Sequence, residues 1–125
     1  MLQHPALAKG EFYGLNWANM QTPDYGREPG DATSGHRLYA VLRYNAQARA
    51  AVLVVCNFST HAPAHTRVHI PRHAQEWARK LGPGFLFADL LNPAAPPIPA
   101  TPEMLDTPGL PIELPPGGAC ILEWR

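Results

Sequence analysis

The fold is decided by the stretch LYAVLRYNAQARAAVLVVCNFS, which runs from residue 38 to residue 59. Leu38 to Tyr44 and Ala51 to Phe58 are two strand-forming runs, and the polar and small residues from Asn45 to Ala50 form a connection of hairpin length. The second run is apolar at almost every position, so it needs cover on both faces and belongs inside a sheet. The sequence therefore predicts a central antiparallel hairpin.

Three further strands are predicted outside this hairpin. The segment from Lys9 to Met20 alternates large apolar residues with smaller or polar ones, which is the period of a half-buried strand. The run from His65 to Ile70 alternates in the same way, with one wet face and one buried face. Phe85 to Leu91 is a third strand-forming run.

The end of the sequence predicts a second hairpin. LPIEL (residues 110–114) and CILEW (residues 120–124) are alternating runs separated by Pro115-Pro116-Gly117-Gly118. Proline and glycine in this order favour a tight turn, and two alternating runs around a turn are typical of a hairpin. We therefore expect these two strands to pair with each other.

One short helix and two loops complete the prediction. Pro71 to Leu81 begins with proline and is followed by Gly82, which are the residues preferred at a helix start and just past a helix end. Gln21 to His36 is rich in glycine and proline with few apolar residues, so it predicts a long mobile loop. Asn92 to Pro102 holds five prolines, which favours a surface loop because proline donates no hydrogen bond to a ladder.

Together these elements predict an all-β fold, an antiparallel Greek-key β-sandwich of about seven or eight strands with one short helix. A chain of 125 residues has the size of one domain, so residues 1–125 are expected to form a single unit. Fifteen prolines and ten glycines interrupt helices often, while 46% hydrophobic content is too high for a disordered chain.

Charge and hydropathy argue against two kinds of partner. Ten basic and ten acidic residues cancel, so no long-range field attracts nucleic acid or an anionic membrane surface. The longest apolar stretch, Ala50 to Cys56, is far shorter than the ~20 residues of a membrane-spanning helix, and no signal peptide opens the chain. We expect a soluble protein, with a cytoplasmic location favoured, that binds neither nucleic acid nor membrane.

Three segments carry a likeness to a known family. They are His4-Pro5-Ala6-Leu7 with Lys9-Gly10-Glu11-Phe12; Tyr39-Ala40-Val41-Leu42-Arg43 with Val52-Leu53-Val54-Val55-Cys56-Asn57-Phe58-Ser59; and Asp89-Leu90-Leu91 with Ile112-Glu113-Leu114 and Pro116-Gly117-Gly118-Ala119-Cys120-Ile121-Leu122. In this order and spacing they resemble the C-terminal β-sandwich domain of the α-amylase superfamily of glycoside hydrolases. The loop at 21–36 and the helix at 71–81 depart from the family pattern.

The resemblance implies an accessory role. Catalytic carboxylates of that family lie on a barrel that this chain does not contain, so no catalytic residue and no cofactor are expected here. Residues 1–8 would be the remnant of the junction to the barrel. The implied partner is the catalytic barrel, which the domain would pack on and stabilise, with assistance to α-glucan oligosaccharide binding as a secondary role. The alternatives are an independent carbohydrate-binding module and an immunoglobulin-like protein-interaction domain.

Aromatic side chains are the candidates for contact with sugar, since a flat apolar ring suits the C–H face of a pyranose. Tyr25, in the polar loop, is the best exposed candidate, and Trp17 and Trp77 are the others. Packing in the core or against another domain is the competing interpretation for Trp17, because large aromatic residues in alternating strands usually contribute to burial.

Catalysis and metal binding are not expected. The acidic residues on predicted strands and the helix have polar neighbours, as on a solvated surface. His61, His65, His69 and His73 recur every four residues, but Pro63 and Pro71 prevent a continuous helix, so we predict no metal site. Cys56 and Cys120 both lie in apolar strands, where free cysteine behaves as a small hydrophobic residue; the sequence leaves open whether they pair.

Overall fold

A computed structural model describes residues 11–15, 38–45, 50–59, 63–78 and 82–125. These residues form eight strands and two short helices. In chain order they are β1 (Glu11–Gly14), β2 (Leu38–Asn45), β3 (Ala50–Asn57), β4 (Ala64–Val68), α1 (Arg72–Trp77), β5 (Phe85–Asp89), β6 (Ile98–Ala100), α2 (Pro102–Asp106), β7 (Leu110–Leu114) and β8 (Ala119–Trp124). The predicted all-β class is confirmed.

Every strand pairing is antiparallel, and the strands form two sheets. The larger sheet has six strands in the order β1-β2-β3-β8-β5-β6, and the smaller sheet pairs β4 with β7. The chain passes from β5 through β6 and β7 and returns with β8 beside β5. β6 and β7 lie in different sheets, so the chain crosses between the two sheets at α2 and again at the turn after β7 before β8 joins β5.

The predicted central hairpin is confirmed, and the structure adds its register. Leu38 pairs with Asn57 at one end of β2 and β3, and Asn45 pairs with Ala50 at the other. The core-facing residues Ala51, Leu53 and Val55 of β3 are buried. On the opposite face Val52 is also buried, whereas Val54 and Cys56 are half-buried. This is why the sequence of β3 shows almost no polar alternation.

The core lies on the side of the six-stranded sheet that faces β4 and β7. Its largest fully buried side chains include Trp124, Phe87, Leu42 and Leu53 from that sheet, joined by Leu110 of β7. The Trp124 ring stacks on Phe87, with centroids 5.3 Å apart. Burial of large apolar side chains between two sheets is the main stabilising contribution in a sandwich.

The two helices cover the part of the core that the two-stranded sheet leaves open. Ala74 of α1 and Leu105 of α2 belong to the buried cluster. The side chain of Gln75 is fully buried, and its Nε2 donates to the carbonyl oxygens of Ile70 and Pro102, at 2.9 and 3.0 Å. One amide thus links the segment before α1 to the first residue of α2.

The predicted hairpin at the end of the chain is wrong. β7 pairs with β4 in the small sheet, whereas β8 pairs with β3 and β5 in the large one. The turn at Pro115 to Gly118 is tight, with Gly117 at φ 67°, but it carries the chain from one sheet to the other. A turn within a hairpin and a turn between two sheets use the same residue types, so the local sequence does not distinguish a hairpin from a crossing between sheets.

The proline-rich stretch from Asn92 to Pro102 is not entirely loop. Its last part contains β6, a three-residue strand with Pro99 at its centre. Leu86, opposite Pro99, exchanges both of its backbone hydrogen bonds with Arg125 on its other side. The backbone groups of Pro99 therefore point away from β5. Because no ladder bond to β5 is made at this position, the missing N–H of proline removes none, which is the situation in which strands tolerate proline.

The second helix, α2, was not predicted. Thr101 caps it, because its side-chain oxygen accepts from Met104 N at 3.1 Å, and Pro102 occupies its first turn. The predicted helix at 71–81 is present as α1 from Arg72 to Trp77; residues 79–81 lie outside the described residues. The predicted junction remnant at residues 1–8 and the predicted mobile loop at 21–36 also lie outside them.

Candidate functional site

The face of the six-stranded sheet that points away from the core is unusually apolar. We call it the outer face. Side chains paired across neighbouring strands lie on the same face, and one row on this side contains Gly14, Val41, Val54 and Ile121. A sheet face that only meets water normally carries polar residues at such positions.

Three exposed aromatic side chains lie on the outer face. Phe12 of β1 is 66% exposed and Tyr39 of β2 is 40% exposed. Phe58, which directly follows β3 and continues its alternation, is 64% exposed. Phe58 lies near Tyr39, whose partner Cys56 is two residues before it, whereas Phe12 lies beside Arg43, four residues further along β2. Single exposed apolar residues are ordinary, but several exposed aromatic residues on one apolar face are typical of an interaction surface.

Phe58 projects from a rigid backbone because both of its neighbours are buried and hydrogen-bonded. Asn57 Nδ2 donates to the carbonyl of Pro115 at 3.1 Å, and Asn57 Oδ1 accepts from Ser59 N at 3.1 Å. The Ser59 carbonyl in turn accepts from Gly117 N at 2.8 Å. The Asn-Phe-Ser motif is therefore a clamp on the Pro-Pro-Gly-Gly turn, and it holds the phenyl ring outward.

A charged row crosses the middle of the outer face. In it Arg43 and Glu123 flank Val52 from the two neighbouring strands. Val52 is fully buried although it points away from the core, and long side chains on both sides can cover such a position with their apolar stems. Arg125 Nε donates to Glu123 Oε1 at 2.6 Å. The surface thus combines aromatic and aliphatic residues with a few paired charges.

Of the three predicted sugar-contacting residues, the structure describes Trp77 only; Trp17 and Tyr25 lie outside the described residues. Trp77 is half-buried at the end of α1 and packs against Tyr13 and Tyr44, with ring centroids 5.2 and 6.0 Å away. These neighbours anchor α1 to β1 and β2. Trp77 is therefore a packing residue at the edge of the core, and sugar contact through it stays a prediction.

The aromatic group around Trp77 includes a polar pair that sequence reasoning missed. The Tyr13 hydroxyl lies 2.9 Å from His73 Nδ1 at the surface. His73 and Trp77 are four residues apart on α1 and so share one helix face. The pair ties the helix to β1, the edge strand of the large sheet.

The histidine, cysteine and acidic side chains of the described residues do not gather into a metal site. Within those ranges no three histidine, cysteine or acidic side chains lie close enough together to hold a metal ion. His69 Nδ1 lies 2.8 Å from the Asp106 carbonyl oxygen, so it links β4 to α2. The described helices include none that is long and apolar enough to cross a membrane.

The two cysteines lie on opposite faces of the large sheet. Cys120 points into the core, and Cys56 lies on the outer face opposite Tyr39. Both are free thiols. Burial, with a smaller contribution from the nearby Asp89 charge, raises the pKa of Cys120 to about 12; burial also raises the pKa of Cys56. Neither cysteine has the lowered pKa of a nucleophile.

The buried Cys120 thiol predicts a loss of stability in alkali. The unfolded chain releases this proton near pH 9, whereas the folded chain holds it up to about pH 12. A folded pKa above the unfolded one gives stability that is present below pH 9 and is lost as the pH rises toward 12. Urea unfolding at pH 8 and pH 10.5 should show the loss, and Cys120→Val should reduce it. An identical loss in that variant would assign the effect to other groups.

Comparisons with known proteins give no match for this chain. No family model matches it. No curated protein matches it, and no solved structure matches it. Any function proposed for the chain therefore rests on its own residues.

Proposed function

We propose that the chain is a non-catalytic accessory domain that packs its outer face on a catalytic barrel of the α-amylase type. The observation that carries the proposal is the group of exposed aromatic residues, Phe12, Tyr39 and Phe58, on an apolar sheet face. The resemblance of the central hairpin and its Asn-Phe-Ser motif to the C-terminal domain of α-amylase-type glycoside hydrolases supports the choice of partner.

The composition of the outer face favours a protein partner. Protein interfaces are enriched in aromatic residues and arginine in their centre and depleted in lysine and acidic residues. The outer face offers three aromatic rings and Arg43, whose neighbour across Val52 is Glu123. When a partner domain covers such a face, apolar surface is removed from water, and this burial stabilises the complex.

Phe58 is the residue with the best geometry for an anchor. Interface residues that contribute most to affinity are large, fixed in position before binding and inserted into a pocket of the partner. The buried neighbours Asn57 and Ser59 fix the backbone on both sides of Phe58. The backbone at Phe58 therefore loses little conformational freedom on binding, and the entropic cost of burying the residue is mainly that of its own side-chain rotamers.

The carbohydrate-binding module remains the alternative of a different class. It would use Tyr25, Trp17 and Trp77, of which the described Trp77 packs against two other rings. Titration of the 125-residue chain with maltoheptaose separates the two functions. Heat or chemical-shift changes at millimolar sugar, without binding to any barrel, would favour the module.

We expect Phe58→Ser to weaken binding to the barrel about tenfold, or roughly 1.4 kcal/mol. The partners to test are the α-amylase-type barrels encoded by the same genome, each expressed without a C-terminal domain, with affinity measured by calorimetry. Leu91→Ser is the matched control, since Leu91 is 51% exposed but follows β5 outside the aromatic group. Equal effects of the two substitutions, or no binding by the unmodified chain to any barrel, would refute the proposal.

A further inference from the structure

A small cavity between the two sheets lies apart from the outer face. It is on the core side of the large sheet, bordered by the segment that joins β5 to β6, and has a volume of about 110 Å³. Sites that enclose a whole drug-sized ligand have volumes of roughly 300–1,000 Å³, and a cavity of roughly 150 Å³ holds a benzene-sized molecule. This cavity therefore has room for the end of a ligand, about four or five non-hydrogen atoms.

The strand registers place the walls of this cavity on one side of the large sheet. Phe87 of β5 and Leu122 of β8 are buried core residues, and Cys120 is on the same face of β8 as Leu122. Ile98 of β6 pairs with Phe87, and the buried Ile112 of β7 faces them from the small sheet. Paired residues share a face, as do alternate residues of one strand, so these five side chains surround a single apolar space.

One charged group borders this apolar space. Asp89 pairs with Leu122 and follows Phe87 by two residues, so its side chain is on the core side of β5. Burial and, to a lesser degree, the Asp89 charge raise the pKa of the Cys120 thiol, which places the carboxylate close to the cavity wall. Asp89 Oδ1 accepts from Leu91 N at 2.9 Å, and no lysine, arginine or histidine of the described residues forms an ion pair with it. A half-buried carboxylate among apolar side chains is stabilised by a cation.

The cavity opens to solvent beside the segment after β5. Pro96 in that segment is exposed and Ala95 is half-buried, as is Asp89. A cation can therefore reach the carboxylate from water and keep part of its hydration there. A hydrocarbon chain attached to the cation can extend from this opening into the apolar space, an arrangement that long amphipathic side chains commonly adopt.

We propose that this cavity binds a short aliphatic chain that carries an ammonium group, either a free alkylamine or the side chain of a lysine. The ammonium donates to the Asp89 carboxylate, and the hydrocarbon chain lies against Phe87, Ile112 and Leu122. The site is on the core side of the large sheet, opposite the outer face, so it goes beyond the accessory role and does not depend on a barrel.

Pentylamine and its neutral analogue 1-pentanol test the cavity by two-dimensional NMR with the ¹⁵N-labelled chain at pH 7. Pentylammonium is expected to shift the amide signals of Asp89, Ile112 and Cys120 and to bind about tenfold more tightly than pentanol, because only the ammonium forms a charge-assisted bond. Asp89→Asn should abolish this preference, since asparagine keeps an acceptor for Leu91 N but carries no charge. Asp106→Asn, which removes an exposed charge at the end of α2, should preserve it.

A third ligand, N-acetyl-lysine methylamide, distinguishes the two sources of the ammonium. Asp89-dependent shifts with this compound would assign the cavity to a lysine side chain. Asp89-dependent shifts with pentylamine alone would assign it to a free amine. Both results support the proposed ligand chemistry.

The same titrations also contain the outcomes that overturn the proposal. Equal binding of pentylamine and pentanol by the unmodified chain would show that Asp89 selects no cation. Shifts of the same size with ammonium chloride would show that the apolar space contributes nothing. Shifts confined to residues outside β5, β7 and β8, or no shifts with any of these compounds, would exclude the cavity as the site. None of these results would bear on the barrel contact through Phe58, which is measured separately.

Discussion

Replacing Trp124 with alanine is expected to lower the free energy of unfolding by about 3 to 5 kcal/mol, the range for deleting a large aromatic side chain from a core. Trp124 is 1% exposed. Its ring stacks on Phe87 and meets the edge of Phe85 at a centroid distance of 5.4 Å. The chain should therefore unfold at a much lower urea concentration, as measured by circular dichroism.

Trp124→Phe is the control that separates ring packing from the indole nitrogen. Trp124 Nε1 is buried without a hydrogen-bond partner in the described structure, and an unsatisfied buried donor costs free energy. Phenylalanine removes that donor while keeping an aromatic ring against Phe87, so we expect a loss below about 1.5 kcal/mol. If alanine and phenylalanine at this position gave the same stability, stacking on Phe87 would not be what Trp124 contributes.

Asn57→Ala is expected to lower the free energy of unfolding by about 2 kcal/mol. The substitution removes one hydrogen bond to the Pro115 carbonyl and leaves the buried N–H of Ser59 without its acceptor. A buried donor or acceptor that loses its partner costs about 1–3 kcal/mol. Denaturant unfolding at pH 7 measures the change.

Asn92→Ala provides the matched control for this effect. Asn92 is exposed in the segment after β5, and a surface substitution away from a structural motif usually changes stability by less than about 0.5 kcal/mol. The clamp also predicts a second result, namely that Asn57→Ala weakens binding to the barrel although residue 57 itself is buried. A variant that loses stability but binds with unchanged affinity would show that Phe58 needs no fixed backbone.

The parts of the fold that sequence predicted correctly are those decided by nearby residues. The β2–β3 hairpin has two strong strand-forming runs and a short polar connection, so pattern and partner are both local. The pairing of β7 depends on β4, more than 40 residues earlier, and that of β8 depends on β3. The sequence from residue 110 to residue 124 does not indicate those distant partners, so the hairpin predicted there was wrong.

Two elements were missed for different reasons. β6 is three residues long and contains Pro99, so it is too short for alternation to be visible, and proline argues against a strand. α2, in contrast, had a signal: Thr101 followed by Pro102 and Glu103 is the pattern of a helix start, with a capping oxygen, a proline and an acid in the first turn. The density of prolines before it favoured a loop instead.

Only part of the candidate site could be predicted from the sequence. The Asn-Phe-Ser motif was singled out, but its clamp on the Pro-Pro-Gly-Gly turn joins positions 58 residues apart. Exposure of Phe12, Tyr39 and Phe58 on one face also depends on which face of each strand meets the core. Alternation predicts two faces, but in apolar strands such as β3 it does not say which is the inner one.

The place of β8 in the large sheet has a consequence for how the protein is made. β8 lies between β3 and β5 and is the only described strand that joins β1-β2-β3 to β5-β6. The ribosome synthesises β8 after the other described strands, so β1-β2-β3 and β5-β6 cannot be joined into this sheet until residues 119–124 emerge. During that interval β3 has one unpaired edge along its length, and an apolar strand edge of this kind invites pairing with other nascent chains. The interval before residues 119–124 emerge, and not only the final fold, therefore bears on how much of this domain is lost to misassembly.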